Sequence, residues 1–158
     1  MKSRLRHAGF TLVEVTLALG VAAISLLVIF SLLPIGLQTN QRAIEQTASV
    51  DILSAVVADL RATPVTIPRG IAATSSQFGI SIPASGGIGS TTLFFSSTGQ
   101  SSISQQPDSR YRMTITFLSN GAGARTATFT DLKVTWPAAA TSTDAQGSAE
   151  MFAAFDRN

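Results

Sequence analysis

The stretch HAGFTLVEVTLALGVAAISLLVIFSLLPIGL, residues 7–37, decides how the rest of the chain is read. It joins a glycine and an aromatic residue to a long apolar run that carries one carboxylate, Glu14, near its start. From Val15 to Leu37 there are 23 positions without a charge, and the only hydroxyl side chains are Thr16, Ser25 and Ser31. A helix needs about 20 such residues to span a bilayer. A buried helix of a soluble protein of this length normally keeps a polar stripe, and this run has none. Residues 10–37 are therefore predicted to form a transmembrane helix. A charged side chain at the centre of a membrane helix costs roughly 2.5–3.5 kcal/mol, and such charges usually have a partner. Glu14 thus either reaches interfacial water or meets a cation. Cleavage after Gly9 creates one, the new α-amino group of Phe10, which Glu14 of a neighbouring subunit could meet in an assembly.

Residues 1–9, MKSRLRHAG, are short, basic and polar. A secretory signal follows such a head with about 7–15 apolar residues and a small-residue cleavage site. Here the apolar run is longer, and the glycine precedes it, so a cut at Gly9 leaves the anchor on the protein. The cations favour an orientation with the N-terminus inside and the remainder outside. His7 reads as one more polar residue of this leader.

The whole chain has 158 residues and a formal net charge of +2. Lys2, Arg4 and Arg6 account for that sign. From Phe10 onward there are 8 basic and 9 acidic residues. The clustered cations that mark a nucleic-acid-binding domain are missing, so no nucleic-acid partner is inferred. Charged residues make up 13% of the chain, against about 25% in ordinary soluble domains. Cysteine is absent, which excludes disulfides and thiolate metal sites.

Gly9-Phe10-Thr11-Leu12-Val13-Glu14 resembles the class III signal of type IV pilins and type II secretion pseudopilins: a basic leader ending in glycine, then phenylalanine, then glutamate at the fifth mature position, then an apolar helix. The similarity covers residues 4 to about 33. The stretch GVAAISLLVIFSLLPIGLQTNQRA is also similar to the pilin-like family called Verru_Chthon cassette protein B. The resemblance implies that a membrane prepilin peptidase cuts between Gly9 and Phe10 and methylates the Phe10 amine, and that Glu14 sets register as subunits assemble. It implies further partners: other pilin-like subunits, an inner-membrane assembly platform and membrane lipid. The implied location is the cytoplasmic membrane, single-pass, and then a periplasmic or surface filament. Pro34 lies a few residues later than the usual pilin proline.

Proline removes one backbone hydrogen bond and Gly36 weakens the helix further. A kink or melted turn is expected over residues 31–37, centred on Pro34 and Gly36. Residues 38–63 contain helix formers and neither proline nor glycine. Ile44, Ala48, Ile52, Val56 and Leu60 form an apolar stripe, widened by Leu53 and Val57, while Arg42, Glu45, Asp51, Asp59 and Arg61 fall largely off it. That is an amphipathic helix continuing the anchor, about 53 residues and roughly 80 Å in all. Pro64 ends it.

Residues 64–158 read as a small β-rich head. A short strand fits residues 78–82, and Gly86-Gly87-Ile88-Gly89-Ser90 reads as a turn, since it lacks the lysine of a phosphate loop. Leu93–Ser97 is a strand candidate. Residues 110–118 alternate strictly, with Tyr111, Met113, Ile115 and Phe117 on one face. Residues 125–136 return as a second strand, with Ala127, Phe129, Leu132, Val134 and Trp136 inward, which demands a bulge or break at Thr130-Asp131. Residues 148–155 fit either a strand with Met151, Ala153 and Phe155 on one face or a short helix. The expected fold is α+β, a long N-terminal helix on a small antiparallel sheet, as in pilins.

Asp108, Asp131, Asp144 and Asp156 are scattered singly and suggest no calcium loop. Once the leader is gone, neither histidine nor cysteine remains as base or nucleophile. No G-x-S-x-G elbow is present. No metal, cofactor or catalytic residue is assigned, and enzymatic activity is not expected. Two functions remain: a structural pilin-like subunit, major or minor, or a membrane-tethered binding module that presents its head without polymerising.

Overall fold

The computed structural model describes residues 9–64, 71–84, 87–119, 127–141 and 143–155. The sequence readings for residues 1–8, including the leader cations and His7, and for Ser85, Gly86, residues 120–126 and Asp156 lie outside these. The elements are one helix, α1 (Leu12–Ala62), and seven strands: β1 (Ala73–Thr74), β2 (Ser81–Ile82), β3 (Gly89–Ser96), β4 (Ser101–Ser102), β5 (Ser109–Leu118), β6 (Thr128–Trp136) and β7 (Gly147–Phe155). The chain forms two compact units, Met1–Arg42 and Ala43–Asn158, and α1 runs from the first into the second.

In the first unit α1 is long and apolar enough to cross a membrane. It starts at Leu12, two residues after the expected Phe10, because Thr11 caps it. Of the kink or melted turn expected over residues 31–37, the melted turn does not occur: helix continues through both Pro34 and Gly36. Proline withdraws only one amide from the ladder, and the flanking bonds hold the turn.

The second unit is the α+β head. Its five-stranded sheet has the order β4-β3-β5-β6-β7, and every neighbouring pair is antiparallel. β1 and β2 form a separate two-stranded ladder. Ile52, Leu53, Val56, Val57 and Leu60 of α1 join Leu93, Phe95, Tyr111, Met113, Ile115, Phe117, Leu132 and Val134 in one hydrophobic core. Burying each of these large side chains is worth about 1.5–3 kcal/mol, and they hold the helix on the sheet.

Four expectations need correcting. The helix stripe is rotated at its start: Ile44 is 59% exposed, while Glu45 and Ser49 are buried. Asp59, placed off the stripe by its charge, is buried as well. Glu45 tolerates burial because Arg110 pairs with it from β5, and the Ser49 hydroxyl donates to the Glu45 carbonyl at 2.7 Å. In β6 there is no bulge. The pairing with β5 is regular from Leu118–Phe129 to Arg112–Thr135. Strict period-two geometry therefore puts Thr128 and Thr130 on the core side and turns Phe129 outward, where it stacks on Phe152 with ring centroids 5.9 Å apart. The irregularity in the sheet lies instead between Phe95 and Ser96 of β3.

Two boundaries also differ, and one alternative is decided. Phe78 belongs to a turn rather than to a strand, and Gly89 and Ser90 open β3 rather than ending a loop. Residues 147–155 are a strand, with Met151, Ala153 and Phe155 facing inward.

Candidate assembly site

Gly9, Phe10 and Thr11 precede the helix and are exposed. Nothing lies within 4 Å of a side chain built on Gly9, and Phe10 is 81% exposed. The bond between Gly9 and Phe10 is therefore on accessible, non-helical backbone, the form in which a peptidase must receive its substrate.

Thr11 sets the start of the helix. Its hydroxyl accepts a hydrogen bond from the Glu14 amide at 3.2 Å, and its carbonyl accepts the Glu14 and Val15 amides at 3.1 and 3.2 Å. This is the threonine half of a capping box, in which Thr or Ser stands three residues before Glu. Read from sequence, Glu14 stands out as a charge in a membrane span and as part of the signal motif, whereas Thr11 is given no role of its own. The T-x-x-E spacing before an apolar run is nonetheless the signal for such a cap. The cap places Glu14 in the first turn, where the positive end of the helix dipole favours a negative charge by about 0.3–1 kcal/mol.

Phe10 and Glu14 are thereby brought to one side of the chain. With Val15, Ala18, Leu19 and Ala22 they line a shallow apolar groove of about 410 Å³. Pro34 and Gly36 lie more than two turns beyond it and take no part.

The other polar side chains of the run are all turned back on their own helix. Thr16, Ser25 and Ser31 donate to the carbonyls of Val13, Val21 and Val28 at 2.9, 2.8 and 2.7 Å. Such bonds leave no hydroxyl seeking a partner in an apolar medium. Glu14 differs, since no side-chain bond or ion pair to its carboxylate occurs among the described residues. Its surroundings are apolar side chains that remain exposed from Leu12 to Leu37.

A second carboxylate is not singled out by the sequence. Asp59, only 4% exposed, faces the turn after β1. Its Oδ1 accepts from the Gln77 amide at 3.0 Å and the Ser76 hydroxyl at 3.4 Å, and its Oδ2 from the Phe78 amide at 3.1 Å. Burial works to raise the Asp59 carboxyl, but hydrogen bonds from Ser75, Gln77, Phe78 and Ser76 outweigh it and hold the group below its ordinary value of 3.8. The same turn closes on itself through Ser75, whose amide donates to the Ile80 carbonyl at 2.9 Å and whose hydroxyl accepts the Ile80 amide at 3.0 Å. Gly79 occupies it with φ +65°, a left-handed conformation suited to glycine. Asp59 is thus a structural clasp. Near the other end of the head helix, burial and then the Glu45 charge push the Tyr111 hydroxyl up, against the opposing pull of Arg110.

Among the described residues no group of three or more acidic or histidine side chains is placed to hold a metal. Compared with protein-family models, curated proteins and solved structures, the chain matches none.

Proposed function

We propose that this chain is a pilin-like structural subunit of a pilus or pseudopilus. It is made with a basic leader, cut and methylated at Phe10 by a prepilin peptidase, and held in the cytoplasmic membrane by α1. The carrying observation is the asymmetry of the first unit. Its helix has the hydroxyls of Thr16, Ser25 and Ser31 satisfied internally and an apolar surface left uncovered from Leu12 to Leu37. At its capped start stands one carboxylate with no partner among the described residues. In a membrane, lipid covers that surface. In a filament, the same helices of neighbouring subunits cover it, and Glu14 meets the Phe10 amine that cleavage creates. Pairing removes most of the penalty of a charge in an apolar medium, so the carboxylate favours the assembled register over a slipped one.

Mass spectrometry of the mature N-terminus tests the processing step. The expected result is a chain starting at a methylated Phe10. An intact Met1, or a new end near residue 37, contradicts it. If processing holds while the chain never enters a filament, the tethered binding module replaces this reading.

A further inference from the structure

The head presents two sheet edges of unequal character. β7 has nine residues and pairs on one side only, with β6, among the described residues. It contains no proline, no lysine and no bulge, and its one charge, Glu150, is paired with Lys133 of its own sheet at 3.5 Å, so the edge has little of what keeps natural edges from pairing. Its inward residues Ala149 and Met151 are only partly buried although they pack on the core. The core therefore stays unfinished along this edge. At the other edge β4 covers only Phe94 and Phe95 of β3, through Ser102 and Ser101. Gly89 to Leu93 have a strand partner on one side alone among the described residues, namely β5. Here too an inward residue, Thr91, is only partly buried.

We infer that β7 of one subunit pairs with the open half of β3 of the next, so that the sheets of neighbouring heads join into one. The inference rests on the filament reading above, and the directions of the strands select the occupant. β3, β5, β6 and β7 alternate in direction, so β7 runs opposite to β3. Copies that all point the same way therefore bring β7 against β3 as an antiparallel pair, the more stable arrangement. Joining β7 to β7 is also antiparallel, but it requires a two-fold axis across the sheet. That axis reverses one head relative to the other. Copies that repeat along a filament in one direction do not satisfy it. A head-to-tail contact does, and it repeats without closing, as a filament requires.

Pairing must keep the core faces together, since a slip of one residue would turn every side chain over. Inward Ala149, Met151 and Ala153 then continue the face of Thr91 and Leu93. Outward Ser148, Glu150 and Phe152 continue the face of Ser90 and Thr92. Strands in such a pair lie about 4.8 Å apart, within reach of a disulfide between opposed cysteines.

The chain has no cysteine of its own, so cross-linking has no background. Full-length Glu150→Cys is co-expressed with full-length Ser90→Cys or Thr92→Cys, membranes and sheared filaments are oxidised, and the products are resolved without reductant. The expected result is a disulfide-linked dimer from at least one mixed pair and none from Glu150→Cys alone. A doubly substituted chain, Thr92→Cys with Glu150→Cys or its Ser90 counterpart, gives a ladder of higher species. Filaments that contain the chain but yield no mixed cross-link overturn this contact and leave the filament reading standing. A dimer from Glu150→Cys alone overturns the head-to-tail arrangement in favour of the two-fold one. Absence of the chain from any filament removes both.

Discussion

Glu14 and Asp59 stand on the same helix and have opposite circumstances. Asp59 is enclosed by the head and receives two backbone amides and serine hydroxyls. Glu14 lies on an uncovered apolar surface and receives none among the described residues. A carboxylate that the fold has fully satisfied acts on stability, because nothing outside the chain is needed to complete it. One that the fold leaves unsatisfied, in a segment where the neighbouring hydroxyls are already spent on their own helix, gains its partner only from another molecule. The two halves of α1 repeat the contrast. From Leu12 to Leu37 the apolar residues face outward, whereas from Ile52 to Leu60 they face the sheet.

Exchanging each carboxylate for alanine separates the two roles, assembly for Glu14 and stability for Asp59. Glu14→Ala is expected to lower incorporation into filaments by ten-fold or more, about the 1.4 kcal/mol or greater of a lost ion pair in an apolar medium. Membrane insertion, cleavage at Gly9 and the melting of the head should remain as in the parent chain. Quantitative blotting of sheared filaments against membrane fractions measures it. Unchanged incorporation would break the comparison at its functional end.

Asp59→Ala reverses the pattern. It leaves the Gln77 and Phe78 amides without their acceptor, and hydrogen bonds to a charged group are worth about 1.5–3 kcal/mol each. Because the vacated turn relaxes toward solvent, the expected net loss is about 3 kcal/mol of head stability, read by denaturant unfolding of the full chain in detergent. The same clasp has a pH signature. Its carboxyl titrates lower in the folded chain than in the unfolded one. Its contribution is therefore complete above the unfolded value, near 4, and is lost as pH falls through the lower folded value. Asp59→Asn should flatten that acid limb of the stability profile. An unchanged limb assigns the acid sensitivity to other carboxylates.

The same contrast explains which features are legible in the sequence. The anchor is legible because a span of uncharged residues leaves few structural choices, and Glu14 is legible because it violates that pattern. The hairpin of β5 and β6 is legible from the alternation of Tyr111, Met113, Ile115 and Phe117. Asp59 and Glu45 are misplaced when charge is taken as a sign of exposure, because the partners that make burial tolerable come from residues 75–78 and 110, far away in sequence. Phe129 is turned the wrong way when side-chain type is given more weight than the period of the strand. In β6 the ladder to β5 fixes the phase, so the threonines go inside whatever their polarity.

Trp136 and Gly147 test how tightly that ladder fixes the head. They are partners in the β6–β7 register, and the indole covers the glycine so closely that an added Cβ would fall 2.3 Å from a ring carbon. Tyr111 also meets this indole edge-on, with centroids 6.3 Å apart. The ring cannot move away without disturbing Tyr111. Gly147→Ala is therefore expected to cost about 2 kcal/mol, the ordinary range for overpacking, and to alter the tryptophan fluorescence of a chain that has a single tryptophan. An alanine tolerated with no spectral change would show that β7 is looser against β6 than its register implies.

The smallest effect is expected where the strand period overrides polarity. Thr130 is fully buried and its hydroxyl has no hydrogen-bond partner among the described residues. Its neighbours across the sheet are Phe117 and Ala153, both apolar. Valine has nearly the same shape and equal β-branching, so it suits the strand. Thr130→Val removes a buried polar atom without opening a cavity, and a gain of about 1 kcal/mol is expected. Denaturant midpoints of the two full-length chains, compared at equal slope, measure it. A loss of stability instead would mean that the hydroxyl finds a partner in the folded head, and that β6 faces a more polar interior than the rest of the core shares.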